Sequence, residues 1–145
     1  MNLKAILRRL ASVLILGFVP QLLLAQSAAL ISSTRDGVYT ADQAQDGKNI
    51  YQSKCGMCHG NALKGMGPNA PLAGEAFLKN WQDQSVADLF MKTITMMPAM
   101  SPGSMTPKET SDVLAYILNA NRFPAGKTRL PSDFRSLNAI HIDKP

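Results

Sequence analysis

The stretch CGMCHGNALKG, Cys55–Gly65, decides how the rest of the chain has to fold. It holds the only two cysteines of the 145-residue chain, separated by two residues, and His59 directly follows the second cysteine. Two thiols and one imidazole within five residues form a compact set of ligands or attachment points. Identifying the chemistry that needs this spacing is therefore the first step in predicting the fold.

Three other uses of the cysteine pair agree poorly with the sequence. A structural zinc site needs four ligands, usually in two separated pairs, and the chain has only one further histidine, His141. A thioredoxin-like redox pair lies in an α/β pattern, and no strand pattern precedes Cys55. A disulfide across two residues closes a very small loop and contributes little stability.

The Cys-x-x-Cys-His pattern is typical of covalent haem attachment. Cys55 and Cys58 would each add to one vinyl group of the haem, and the two-residue spacer fits the separation of those groups. His59, the next residue, would then lie under the iron as its proximal ligand. We therefore predict one covalently bound haem c, with iron, per chain.

A haem that carries electrons usually has a second protein ligand, and a methionine there raises the reduction potential. Four methionines cluster in the irregular segment TMMPAMSPGSM, residues 95–105: Met96, Met97, Met100 and Met105. Met97 precedes Pro98, which disfavours helix at Met97 and would stiffen an extended ligand loop. We favour Met97 as the distal ligand, followed by Met100 and then Met96, with an open sixth position as the alternative.

Helical periodicity and capping residues predict an all-α fold with three main helices around the haem. Thr40, Ser85 and Thr106 each precede a segment with apolar residues at helical spacing, and each starts a capping-box pattern. The first helix should end at about Lys54. The loop Gly56–Gly74 is rich in glycine, proline and asparagine, and such a long loop in a small domain is usually functional.

The N-terminal segment predicts export. Residues 1–25 combine a basic start with a short apolar run, the order of a secretory signal peptide, with cleavage near residues 25–28. Retention as a membrane anchor is the alternative, but the run is shorter than the ~20 apolar residues of a typical span. Removing the three basic residues lowers the net charge from +5 to +2. No basic run is interleaved with aromatic residues, which excludes the usual pattern of nucleic-acid binding.

On these residues the chain resembles the class I monohaem c-type cytochromes. The resemblance is strongest to the bacterial group found beside pyrroloquinoline-quinone (PQQ)-dependent alcohol dehydrogenases. It runs through GVYTADQAQDGKNIYQSKCGMCHG, PLAGEAFLKNW, LFMKTITMMPAMSPGSM and DVLAYILNANRFPAGKTRLP. We expect a flexible lead-in at residues 26–37, a cytochrome c domain at 38–120, and a C-terminal extension, 121–145, packed on or near it. His141 in this extension is expected at the surface.

The resemblance implies roles for single residues around the haem. His59 would be the proximal ligand and Met97 the distal one. Trp81 resembles the tryptophan that donates its indole N–H near a haem propionate, with plain core packing as the alternative. The backbone carbonyl of Pro68 or Pro71 would accept a hydrogen bond from the proximal histidine.

The resemblance also implies that the first helix crosses the third. Gly47 and Tyr51 would there meet Val113 and Tyr116. This contact accounts for a glycine in the middle of a helix, where it costs about 1 kcal/mol relative to alanine.

The function implied is one-electron transfer in the periplasm, without substrate turnover. The resemblance implies a periplasmic quinoprotein-type dehydrogenase as the donor and another cytochrome or a terminal oxidase as the acceptor. Two alternatives remain open: a haem subunit of a dehydrogenase complex, or a haem sensor that binds a ligand by displacing its methionine. No second constellation of catalytic residues is present, and contact with a membrane is expected only for a retained signal segment.

Overall fold

The computed structural model describes residues 32–145. The predicted signal peptide and residues 26–31 of the predicted lead-in lie outside the described residues. The described chain contains these elements: β1 Ser32–Ser33, α1 Ala41–Lys54, α2 Gly56–His59, α3 Glu75–Trp81, α4 Val86–Met96, α5 Pro107–Ala120, α6 Phe134–Asn138 and β2 Ile140–His141. The all-α prediction is confirmed, with α1, α4 and α5 as the long helices. No helix within residues 32–145 is long and apolar enough to cross a membrane.

The three long helices begin where the capping residues predict. The hydroxyl groups of Thr40, Ser85 and Thr106 each accept a backbone N–H from three positions further on, at 3.2 Å in every case. Such caps satisfy amide groups that have no partner inside the helix. At Ser85 and Thr106 an acidic residue completes the capping box. At the first helix Gln43 turns inward instead, and its Oε1 accepts the N–H of Leu130 at 2.6 Å.

Helices α1 and α5 cross in direct backbone contact, as expected. A Cβ atom on Gly47 would lie 1.8 Å from the carbonyl oxygen of Asp112 and 3.0 Å from the nitrogen of Val113. Beside this point the rings of Tyr51 and Tyr116 pack with their centroids 5.3 Å apart. Only glycine permits this approach, because any side chain at residue 47 would occupy the space of the α5 backbone.

The C-terminal extension forms part of the core. Its apolar side chains are buried against the helices: Phe123, Leu130, Leu137, Ile140 and Ile142. Arg129 reaches the buried carboxylate of Asp112 at 2.8 Å and the exposed carboxylate of Asp46 at 3.3 Å. Since five apolar side chains of this segment leave water on folding, it contributes to the stability of the whole domain.

The two ends of the described chain pair with each other. Strand β1 runs parallel to β2, with Ser33 opposite His141, and a turn of 3-10 helix, Thr34–Asp36, follows β1. Two expectations are corrected here. Residues 32–37 form defined structure where a flexible lead-in was predicted, and His141 is half-buried in β2 because its backbone is needed for this pairing.

Candidate functional site

A cavity of about 760 Å³ extends from α2 to the segment that follows α4. Its lining contains the two thiols and the imidazole of the Cys55–His59 motif together with Met97. Cofactor pockets commonly enclose about 300–1,000 Å³, so this volume suits a ligand the size of a porphyrin. Apolar side chains from the loop and from two of the long helices complete much of the wall: Leu72, Leu89, Val113 and Ile117.

The motif lies on a single turn of helix that begins where α1 ends. The Cys55 N–H still bonds to α1, at Tyr51, while the Cys55 carbonyl accepts the N–H groups of Cys58, at 3.1 Å, and His59, at 2.9 Å. Residues three and four positions apart lie on one face of a helix, so both thiols and the imidazole are presented together. The hydroxyl group of Tyr51 donates to the carbonyl of Gly60 at 2.7 Å and fixes the end of this turn.

The Cys55 thiol lacks the lowered pKa of a redox-active cysteine. Both cysteines are free and half-buried. Burial raises the pKa of Cys55 to about 11, an effect that the neighbouring charge of Lys54 only partly offsets. A reactive thiol of a redox pair instead has a lowered pKa. Within residues 32–145, no three His, Cys, Asp or Glu side chains are grouped so that they could hold a metal ion.

The His59 ring is oriented by a backbone carbonyl, that of Ala70, which lies 2.8 Å from Nδ1. A carbonyl can only accept, so Nδ1 carries the proton and Nε2 keeps its lone pair for a metal. The prediction that Pro68 or Pro71 supplies this carbonyl is wrong. Pro71 does line the cavity, but the carbonyl that accepts the hydrogen bond belongs to Ala70, the residue before it.

The loop after the motif closes tightly under His59. Gly65 has φ of 77° and donates its N–H to the His59 carbonyl at 2.9 Å. A Cβ atom on Gly65 would lie 2.4 Å from the carbonyl oxygen of Asn69. A left-handed backbone and this close approach both require glycine. The turn directs the chain back so that Ala70 reaches the imidazole.

The structure separates the four clustered methionines. Met97 is half-buried at the C-terminal cap of α4 and lines the cavity. Met100 also lines it but is 85% exposed. Met96 and Met105 are absent from the lining of this cavity within residues 32–145; Met96 is 55% exposed and Met105 is buried elsewhere. Met97 therefore combines access to the cavity with shielding from water, and its role as ligand stays a prediction.

Trp81 lies at the cavity with a cation above its ring. The Nζ atom of Lys92 is 5.7 Å from the centroid of the Trp81 ring, and both side chains line the cavity. This distance is within the range of a cation–π contact. An indole N–H donor and an ammonium group in the wall of the cavity form a suitable environment for a carboxylate.

Sequence reasoning missed three contributors to this site: Ala70, Lys92 and Asn121. Ala70 acts through its main chain, so its side chain carries no signal. Lys92 is an exposed helix residue three positions after the buried Leu89. This spacing places Lys92 near the apolar face of the helix, and it is the one feature of the sequence that indicates a position close to the cavity. Asn121 ends α5, and its contacts involve residues distant in sequence.

The fold and the site together define a c-type cytochrome. A family model described as "Cytochrome C oxidase, cbb3-type, subunit III" matches residues 42–117, just over half of the chain, and the chain belongs to this family. No curated protein and no solved structure matches the chain. The family match does not extend to the group associated with PQQ-dependent alcohol dehydrogenases.

The cofactor of this family is haem c, covalently bound and containing iron. The residues present fit it. Cys55 and Cys58 have the required spacing, His59 has a free Nε2, and the cavity is large and mainly walled by apolar residues. Haem-based electron transfer is accordingly the general role of this protein.

Proposed function

We propose that this protein carries single electrons between partners in the periplasm on a haem held by Cys55, Cys58, His59 and Met97. The cysteines would form the thioether bonds, and His59 Nε2 and the Met97 sulfur would be the axial ligands. The observation that carries this proposal is that one cavity is lined by all four side chains. The bound haem supplies an iron that gains and loses one electron.

The chain's own residues favour a fixed coordination. Ala70 holds the His59 ring through Nδ1, so the imidazole needs no reorientation. Met97 sits where the helical hydrogen bonds of α4 end, with its N–H still bonded to Thr93 at 3.0 Å, and Pro98 stiffens the segment behind it. Two anchored ligands restrict access to the metal, as electron transfer without substrate turnover requires.

Trp81 and Lys92 are proposed to bind a carboxylate of the haem. Their contact places a donor and a positive charge side by side in the wall of the cavity. Trp81→Phe keeps the aromatic packing and removes the N–H. We expect this variant to bind haem and to show a changed pH dependence of its reduction potential. An unchanged profile would assign Trp81 to core packing alone.

The donor we propose is a periplasmic quinoprotein-type dehydrogenase, and the acceptor another cytochrome or a terminal oxidase. Redox partners meet through small, transient interfaces, below about 1,200 Å². The charge of +2 left after signal removal provides weak steering only. Co-purification of the untagged protein with a quinoprotein, and reduction of the haem by that enzyme in the presence of its alcohol, would support this route. Reduction by an oxidase-linked donor alone would contradict it.

A stable subunit role is the second candidate, and the family description favours it because it names an oxidase subunit. A subunit would elute in a complex with constant stoichiometry, whereas a carrier would elute alone from native membranes and periplasm. The protein could equally be the haem subunit of a dehydrogenase complex, and the same elution experiment would then recover it with the dehydrogenase. A ligand sensor would instead bind carbon monoxide in the ferrous state with displacement of Met97.

The distal ligand is tested with two matched variants. Ferric haem with methionine ligation shows a weak charge-transfer band at long wavelength. We expect Met97→Ala to abolish this band and to lower the reduction potential, since the methionine ligand raises it. Met100→Ala, which alters an exposed side chain of the same cavity, should keep the band. The reverse result would assign the ligand to Met100.

Covalent attachment is tested by mass spectrometry of protein from a host that matures c-type cytochromes. The intact chain should carry the mass of one haem, and Cys55→Ala with Cys58→Ala should carry none. Without haem, the apolar side chains that line the 760 Å³ cavity would face water, and the stabilisation from burying them against the porphyrin would be lost. We expect the double variant to be unfolded or degraded. A helical, cooperatively unfolding apoprotein would refute this expectation.

A further inference from the structure

Asn121 has a buried amide side chain that connects two walls of the haem cavity. It forms the C-terminal cap of α5 and is 5% exposed. Its Oδ1 accepts the N–H of Gly74 at 2.9 Å, and its Nδ2 donates to the carbonyls of Leu72 at 2.9 Å and Ile117 at 2.8 Å. One side chain thus makes three hydrogen bonds to main-chain groups on separate parts of the chain.

These bonds reach residues that touch the cavity. Leu72 and Ile117 both line it, one from the loop and one from α5. The Leu72 N–H also donates to the Leu63 carbonyl at 2.8 Å. The segment 70–74 is therefore held on one side by Leu63 and on the other by Asn121.

The same segment begins with Ala70, whose carbonyl accepts from Nδ1 of His59 at 2.8 Å. Only Pro71 lies between Ala70 and Leu72, whose carbonyl Asn121 binds. A loop carbonyl keeps a fixed distance to an imidazole only where its own segment is fixed. The bonds from Asn121 supply such a constraint from a helix that belongs to the packed core.

We propose that Asn121 is a positioning residue for the proximal histidine: it fixes the segment whose Ala70 carbonyl orients the His59 ring. The inference rests on the proposed ligation of the haem iron by His59. Partners of the second ring nitrogen orient a metal-bound histidine and raise its basicity, and their loss measurably alters the metal site. A more basic imidazole favours the ferric state, so a weaker contact with Ala70 raises the reduction potential.

A purely local role, as a cap of α5, makes a different prediction. The Asn121 backbone N–H already bonds to the carbonyls of Ile117 and Leu118, and one of the three side-chain bonds also serves the helix end. The other two bonds, to Leu72 and Gly74, cross to the loop. Loss of a cap lowers stability alone, whereas loss of the crossing bonds also changes the environment of His59.

The experiment compares Asn121→Leu, Asn121→Asp and the control Asn119→Ala in the haem-loaded protein. Asn119 is an exposed amide on the same helix, and its side chain makes a long 3.3 Å contact to Tyr39. The Asp variant keeps an acceptor for the Gly74 N–H and loses the two donor bonds. Two quantities are measured: the solvent exchange of the His59 ring N–H by NMR in the reduced state, and the reduction potential.

We expect ring-proton exchange to be about tenfold faster in Asn121→Leu, from the loss of hydrogen bonds that hold the loop, and the reduction potential to rise. Asn121→Asp should give a ring-proton exchange rate between those of this variant and the wild type, and Asn119→Ala should match the wild type in both quantities. If both Asn121 variants show the wild-type exchange rate and potential, the inference is overturned and Asn121 acts only as the cap of α5. If the Leu variant does not fold, the exchange rate of the Asp variant alone decides between these outcomes. A wild-type spectrum without histidine ligation would overturn the proposed function, and the inference with it.

Discussion

Gly47→Ala tests the helix crossing on which the haem cavity depends. Helix propensity alone predicts that this change stabilises the protein by about 1 kcal/mol, because glycine is a poor helix former. The structure predicts the opposite sign. The new Cβ atom would lie 1.8 Å from the carbonyl oxygen of Asp112 and 2.4 Å from its carbonyl carbon.

The size of the effect follows from this overlap. Cβ atoms are essentially never found closer than 3.0 Å to another heavy atom, so α5 has to retreat by about 1.2 Å, the difference from 1.8 Å. The obstacle is main chain, which cannot rotate away. Overpacking of a core costs about 1–3 kcal/mol and sometimes more, and we place Gly47→Ala at the upper end. After the gain in propensity, a net loss of about 2 kcal/mol remains.

The assay is guanidinium unfolding of the ferric haem protein, followed by circular dichroism, with the reduction potential measured in parallel. Asn49→Ala is the matched control, because Asn49 is exposed on the same helix and alanine improves propensity there too; we expect it within about 0.5 kcal/mol of the wild type. Val113 follows Asp112 and lines the cavity, so Gly47→Ala should also shift the potential. A Gly47→Ala protein at least as stable as the wild type would refute the reasoning.

Further predictions concern two polar contacts near the motif. The Lys54 ammonium group, 2.6 Å away, lowers the pKa of Glu109 to about 2 from 4.5, so the contact stabilises the fold above about pH 4.5 and is lost as the pH falls through about 2. Glu109→Gln should therefore be less stable than the wild type at pH 7, by at most about 1 kcal/mol at this partly exposed site, with a difference that vanishes near pH 2 in denaturant titrations. Tyr51→Phe removes the hydrogen bond to the Gly60 carbonyl and should cost about 1–3 kcal/mol in the same assay. Since burial raises the pKa of Tyr51 to about 12, absorbance titration of the wild type should show no phenolate from this residue below about pH 11; an ordinary titration near pH 10 would contradict the hydrogen-bonded, buried position.

Local signals were sufficient for the helices. Thr40, Ser85 and Thr106 start them as predicted, because a cap depends on residues three positions apart and on little else. Gln43 shows the limit of this reasoning. It matches a capping box in sequence, but its amide bonds to Leu130 in the C-terminal segment, a partner 87 residues away that no local pattern reveals.

The attachment motif can also be predicted from the sequence, because two thiols and an imidazole within five residues lie close together in any local conformation. The carbonyl that orients His59 was not. Position in the sequence predicts the carbonyl of Pro68 or Pro71, but the acceptor is Ala70, because the tight turn at Gly65 sets where the loop returns. Every residue has a backbone carbonyl, so the choice among neighbours depends on the path of the chain.

The sequence by itself determined the class of cofactor, the residues that can attach it and the three long helices, because these depend on chemistry and spacing within one or two turns. Only the tertiary structure decided which methionine combines access to the cavity with shielding, that the C-terminal segment completes the core, and that Asn121 joins α5 to the loop beside His59. These features are contacts between residues far apart along the chain. Such contacts depend on how the helices pack against one another, and the residues that neighbour each partner in the sequence do not reveal them.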